Sequence, residues 1–148
     1  MKILFIVVGK KHDTLVENGV AEFTARIGRY THIEWKIVPA SNAKEEAEKI
    51  LHGLDENDTV VALDEKGKMM STSLLAQYVE KSLAGGSKRL IFVIGGAYGL
   101  DQSVIDRAEL VWSLSALTFP HQLVRLILSE QIYRAFTVIR GEKYHHEG

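Results

Sequence analysis

The chain has no cysteine and only two prolines, Pro39 and Pro120, among its 148 residues. The first absence excludes disulfides, thiolate nucleophiles and thiolate-bound metals. The second leaves long stretches free to build helices and strands, with each proline marking a boundary. No apolar run approaches the roughly 20 residues that a membrane-spanning helix needs, so a soluble, cytoplasmic protein with no membrane partner is expected. Neither sign of charge dominates, since 18 Lys and Arg stand against 19 Asp and Glu. That balance excludes the general basicity of a non-selective nucleic-acid binder. The distribution is uneven, with six basic and four acidic residues over 1–40 but two basic and six acidic over 41–60. A nucleic-acid partner would therefore meet the Lys10, Lys11, Arg26 and Arg29 side.

What is present is enough apolar residue, 46% of the chain, for one domain over 1–148 with a sizeable core. Ile3 to Val8 reads as a first strand, not a signal peptide, because Gly9, Lys10 and Lys11 close it without a small-residue cleavage site. Val16, Val20, Phe23 and Ile27 then recur at helical spacing, predicting a helix from about Asp13, its cap, to Arg29. Alternation in His32 to Val38 predicts a strand with one wetter face, ended by Pro39. Ser41 or Asn42 caps a helix with Ala47, Ile50, Leu51 and Leu54 inward, and Thr59 to Leu63 follows as a strand. Asp64 to Gly67 reads as a turn, Ser71 to Leu83 as a helix stopped by Gly85 and Gly86, and Arg89 to Ile94 as a strand buried on both faces.

The last third carries the chemistry. After Ile94 comes a glycine turn, then a short helix from Asp101 to about Arg107, a fifth strand from Glu109 to Ser113, and a long helix from Pro120 to about Ile139 ended by Gly141. That helix is apolar most of the way round, which predicts burial from two sides, against its own sheet and against a second copy. The alternation of strands and helices predicts an α/β fold, a mostly parallel sheet of five or six strands with helices on both faces. Ligands in such sheets sit beyond the carboxyl ends of the strands, where Leu63, Gly95 and Leu114 to Phe119 all fall.

Gly95, Gly96 and Gly99 lack the dinucleotide-binding spacing. They mark either a backbone kept bare for a ligand or a turn that needs positive φ. Ser113, Ser115 and Thr118 with Leu114, Leu117 and Phe119 can offer backbone polar groups to an adenine edge inside an apolar slot, or can simply start a helix. Six histidines are present. His145 and His146 lack a third spaced ligand, so no metal site is expected. No Ser-His-Asp order or carboxylate pair stands out. Arg125, Arg134, Arg140 and Lys143 are candidates for phosphate contacts or for ordinary solvated charge.

Six motifs together are similar to one family: KILFIVVGK (2–10), LDEKGK (63–68), IGGAYGL (94–100), WSLSALTFPH (112–121), EQIYRA (130–135) and RGEKYHH (140–146). They resemble the RlmH (YbeA-like) 23S rRNA pseudouridine N3-methyltransferases of the SPOUT superfamily, over essentially the whole chain. The resemblance implies S-adenosylmethionine as methyl donor, a C-terminal trefoil knot, a homodimer with its sites at the interface, and a pseudouridine of 23S rRNA in the assembled ribosome as substrate. It also implies Leu63, Gly95, Leu114, Ser115, Ala116, Leu117, Thr118 and Phe119 as cofactor residues. The connection from Ala40 to Thr59 is shorter than in many relatives and touches an outer helix, not this site.

Methyl transfer to a ring nitrogen needs alignment of donor and acceptor and removal of the N3 proton. His121, Arg125, Tyr144 and His145 are the candidate catalytic residues, with His146 beside them on a tail that could fold over the base. Two rival readings are a dimeric nucleotide-binding module without catalysis and a methyltransferase of the same superfamily with another RNA target.

Overall fold

The computed structural model describes residues 2–145, so the expectation placed on His146 lies outside the described residues. Ten elements alternate strictly: β1 (Lys2–Val8), α1 (Glu17–Ile27), β2 (His32–Val38), α2 (Ala43–His52), β3 (Asp58–Met69), α3 (Thr72–Ala84), β4 (Arg89–Ile94), α4 (Gln102–Arg107), β5 (Leu110–Ser113) and α5 (His121–Ile139). The five strands form one sheet in the order β2-β1-β4-β3-β5, and every neighbouring pair is parallel. The expected α/β architecture is therefore present with five strands. Among the described residues, no helix is long and apolar enough to cross a membrane.

Because side chains alternate across a strand, each buried strand feeds two cores. Ile3, Phe5, Val7, Val61, Leu63, Leu90, Phe92 and Ile94 pack on one face with residues of α1, α3 and α5. Leu4, Ile6, Val8, Val60, Ile91 and Val93 pack on the other with Ala47 and Ile50 of α2 and Val104 of α4. The strand at Arg89–Ile94 is central and buried on both sides, as its unbroken apolar run predicts. His32–Val38 is an edge strand, which is why it alternates.

Three expectations are corrected. The first helix starts at Glu17, not Asp13, and Val16 takes the cap position without a side-chain cap. Asp13 instead forms a turn, its carbonyl accepting from the Val16 and Glu17 amides at 3.0 and 2.8 Å. Its own amide donates to Gln122 Oε1 at 2.9 Å, so a contact from the far end of the chain outweighs local capping.

The segment Asp64 to Gly67 is not a turn, because β3 continues to Met69. Pairing with β5 shifts between Leu63 and Lys68 and resumes at Lys68–Trp112 and Met69–Ser113. Gly67 permits this. A Cβ there would lie 2.6 Å from the Val111 carbonyl carbon, so only glycine lets the two backbones approach. Pro120, finally, stands at the cap of α5 with ψ 140°, one residue outside the helix.

No residue of α5 from His121 to Ile139 is exposed. Within a single chain the helix already lies in the α1, α3 and α5 layer, with Leu128, Ile132, Ala135 and Phe136 on the sheet. Its flanks meet Phe23 and Tyr30, through the Phe23–Tyr133 and Tyr30–Phe136 ring contacts. Much of its all-round apolarity is thus accounted for by neighbours within the chain.

Candidate functional site

Strand register sets the site. Leu63 pairs with Ile94 on one side and Trp112 on the other, so these three residues lie in one row, where β4 ends, β5 has one residue left and the β3–β5 pairing breaks. Just beyond that row the segments Asp64–Lys66, Gly95–Leu100 and Leu114–Phe119, with His121 and Val124 from α5, enclose a cleft of about 820 Å³. A volume of that order suits a nucleoside-sized ligand.

The glycine turn has the positive φ that its sequence allowed. Gly99 adopts φ +75° and donates its amide to the Gly96 carbonyl at 3.0 Å, closing the turn. Gly95 has ordinary φ but no room, since a Cβ would lie 2.8 Å from the Gly99 carbonyl carbon. Tyr98, at the tip, is 81% exposed.

Opposite, the 114–119 loop is held by short-range hydroxyl bonds. Ser113 Oγ donates to the Ser115 carbonyl at 2.9 Å, and Ser115 Oγ accepts the Leu117 amide at 3.0 Å. Such turns orient backbone polar groups without the help of a helix. Thr118 Oγ1 donates to Glu65 Oε2 at 3.3 Å, tying this loop to β3 across the cleft mouth. Leu117 is 70% exposed, an apolar side chain on the rim.

Of the expected cofactor residues, Leu63, Gly95, Leu114, Ser115, Leu117, Thr118 and Phe119 line the cleft, whereas Ala116 does not. Asp64, Glu65 and Trp112 also line it and had been given no role. The two carboxylates lie inside β3, where its pairing with β5 is interrupted. The Trp112 indole is buried against Phe92, and its Nε1 has no hydrogen-bond partner among the described residues. Among the described residues no three or more His, Asp or Glu side chains are gathered so as to hold a metal.

The four expected catalytic residues do not meet within one chain. His121 lines the cleft. Arg125, one turn along α5, is fully buried behind it and donates from Nη1 to the Lys10 carbonyl at 2.8 Å. The same nitrogen lies 3.4 Å from His12 Nδ1. Burial and the Arg125 charge hold the His12 imidazole below its ordinary value, and the Glu17 charge only partly opposes them. His12 is therefore neutral near pH 7.

Tyr144 and His145 pack back on the other end of α5. Tyr144 donates to Glu130 Oε2 at 2.9 Å, the carboxylate that also pairs with Arg134 at 2.7 Å. Arg134 Nη1 lies 3.3 Å from His145 Nδ1. Burial and the Glu130 hydrogen bond push the Tyr144 phenol above its ordinary value, so it keeps its proton at neutral pH. Thirteen residues of helix at 1.5 Å each put Arg134 about 20 Å along α5 from His121. Within this chain the described part of the tail, as far as His145, does not fold over the cleft.

The family model described as "Predicted SPOUT methyltransferase" matches residues 1–145. A protein of Christiangramia forsetii named "Ribosomal RNA large subunit methyltransferase H" is 41% identical, the match covering 99% of each chain. One of the same name from Geotalea daltonii is also 41% identical, over 99% of this chain and 100% of that one. Among solved structures, a probable methylase family protein of Haemophilus influenzae superposes with a TM-score of 0.58 at 14% identity, covering 98% of this chain and 70% of the other. That likeness speaks to the fold.

Proposed function

We propose a function from the premise that this chain belongs to the SPOUT methyltransferase family: it transfers a methyl group from S-adenosylmethionine to the large-subunit ribosomal RNA, at N3 of a pseudouridine in 23S rRNA of the assembled ribosome. The observation that carries this is one cleft beside the Leu63, Ile94 and Trp112 row, lined by seven of the eight residues that the family resemblance implies for the donor. The relatives' names supply the class of RNA. A protein with this function would work in the cytoplasm.

The residues present fit an adenosyl ligand. Gly95 lets the turn to Gly99 close tightly at one wall, the apolar Leu63, Leu114, Leu117 and Val124 wall a slot for a flat ring, and Asp64 and Glu65 stand at its mouth as hydroxyl acceptors. When bound, the donor would supply an electrophilic sulfonium methyl group, with the neutral thioether as its leaving group. His121, on the cleft wall, takes the N3 proton of the uracil-type ring onto its imidazole as the ring nitrogen is methylated. Water exclusion falls to the rim residues Tyr98 and Leu117, which close on the substrate base.

Tyr144 and His145 complete the site from a second copy. A homodimer that sets the tail end of one α5 beside the cleft of the other brings a protonated phenol to the base while His121 stays in place. The placement of the tail about 20 Å from its own cleft supports this reading, as does the exposed apolar rim.

The test is mass spectrometry of 23S rRNA after incubating hypomethylated ribosomes with the purified protein and S-adenosylmethionine. The expected product is one 3-methylpseudouridine. Unchanged RNA would refute the assignment, and a methyl group on another nucleotide would keep the chemistry and replace the target.

A further inference from the structure

Arg125 is the one fully buried cationic side chain of the chain's described residues, and its charge has no acidic partner among them. Nη1 reaches the Lys10 carbonyl, but Nε and Nη2 are buried without a hydrogen-bond partner among the described residues. An uncompensated guanidinium inside a protein is strongly unfavourable unless something supplies the missing acceptors. Every other arginine in the core layers solves this locally, as Arg89 does with Asp58 and Arg134 with Glu130.

The surroundings show what would fit. A Cβ on Gly9 would lie 3.5 Å from Arg125 Nη2 and 3.9 Å from His121 Nε2, so both nitrogens face the bare side of this residue. Gly9 holds φ +129°, a conformation other residues rarely adopt. His121 is the first residue of α5, whose start receives no side-chain cap from Pro120. Lys10 and Lys11 on the covering loop are exposed cations. His12, the remaining neighbour, is not a counter-charge, and the nearby Glu17 is exposed and makes no ion pair with Arg125. A buried donor without acceptors, an uncapped helix start and a bare glycine converge on one negatively charged group.

We infer that Gly9, Arg125, His121 and the first turn of α5 form an oxyanion subsite next to the methyl-transfer cleft. A phosphodiester of the RNA or the carboxylate at the amino-acid end of the methyl donor supplies the oxyanion. The Lys10–Asp13 loop, stapled to α5 by Arg125 and by Gln122, covers the subsite and shifts to admit the ligand. The assignment rests on the methyltransferase reading only for the two sources, not for the subsite itself.

The experiment is nuclear magnetic resonance of the full chain with 15N-labelled arginine, following the Arg125 Nε–Hε signal, assigned by its loss in Arg125→Lys. Inorganic phosphate is titrated first, then S-adenosylmethionine alone, then a short oligoribonucleotide alone. A saturable shift with phosphate is expected, weakened about tenfold or more in Gly9→Ala, whose methyl group occupies the space the anion needs. A shift with the oligoribonucleotide assigns the subsite to a phosphodiester, and a shift with S-adenosylmethionine assigns it to the carboxylate. An Arg125 signal that none of the three moves would overturn the subsite, even in a protein that methylates ribosomes normally. A saturable response to phosphate in a protein that transfers no methyl group would leave the subsite standing and remove the proposed function.

Discussion

The Arg134 guanidinium lies 4.6 Å from the centre of the Tyr144 ring, and Tyr144 donates to the same Glu130 carboxylate that binds Arg134. Cation–π contact and hydrogen bonds together dock the tail at the far end of α5, away from the cleft of its own chain. A chain truncated after Arg140 should keep its affinity for S-adenosylmethionine within about threefold, yet lose roughly a hundredfold or more in methyl transfer to ribosomes. Calorimetry and single-turnover rates measure the two separately. Normal transfer by the truncated chain would remove the tail from catalysis.

Mixed dimers extend the same point. Combining a tail-truncated chain with a His121→Asn chain should restore about a quarter to a half of the wild-type rate, because one of the two clefts then has an intact His121 and an intact partner tail. If the tail served its own cleft, every site in the mixed species would lack one of the two.

His121 lines the cleft without a hydrogen-bond partner among the described residues. His121→Asn keeps the shape and removes the base, so the rate constant for transfer should fall about a hundredfold while donor binding changes little. A variant that instead lost donor affinity at unchanged rate would make His121 a binding residue.

Gly95→Ala tests the tight turn. The added methyl would stand 2.8 and 2.9 Å from the Gly99 carbonyl carbon and oxygen, so the turn must open. Donor affinity should weaken by about tenfold or more, since the turn is one wall of the slot. The sheet beneath should survive, with a thermal midpoint lowered by only a few degrees, or roughly 1 kcal/mol.

At the opposite end of the sheet, Asp58 is fully shielded and receives Arg89 Nε at 2.9 Å. Burial alone would raise the Asp58 carboxyl, but the Arg89 hydrogen bonds, the Asp55 amide and the cationic charges outweigh it and hold the carboxyl below its ordinary 3.8. A depressed carboxyl stabilises the fold above its unfolded pKa, and that contribution disappears as pH falls through the lower, folded value. Asp58→Ala should therefore destabilise by about 3 kcal/mol at pH 7. The gap from wild type should shrink below about pH 4, as read from urea unfolding at each pH.

Strand and helix order was legible in the residues because each carries its own periodicity. The unbroken Leu90–Ile94 run marked a strand buried on both faces, and Ile33, Trp35 and Ile37 marked a half-buried one. The errors have a common physical cause. Asp13 and the Asp64–Gly67 stretch carry strong local signals for a cap and a turn, yet contacts from Gln122 and from β5, more than 40 residues away, outweighed them. The segments that line the cleft were legible too, because clefts in parallel sheets lie beyond the carboxyl ends of strands. Asp64 and Glu65 carry a strong local turn signal, which hides their place inside β3 beside the cleft.

The amino-acid order alone determined the α/β alternation, the two apolar faces of the sheet and the glycine- and hydroxyl-rich segments at its strand ends, since these follow from side-chain pattern and local backbone chemistry. Only the tertiary structure decided which of the candidates share a site. Strand register brought Leu63, Ile94 and Trp112 into one row, and the length of α5 separated His121 from Tyr144. Burial stripped Arg125 of water and of partners. Distance and desolvation are properties of the folded chain, and no spacing in the sequence encodes them directly.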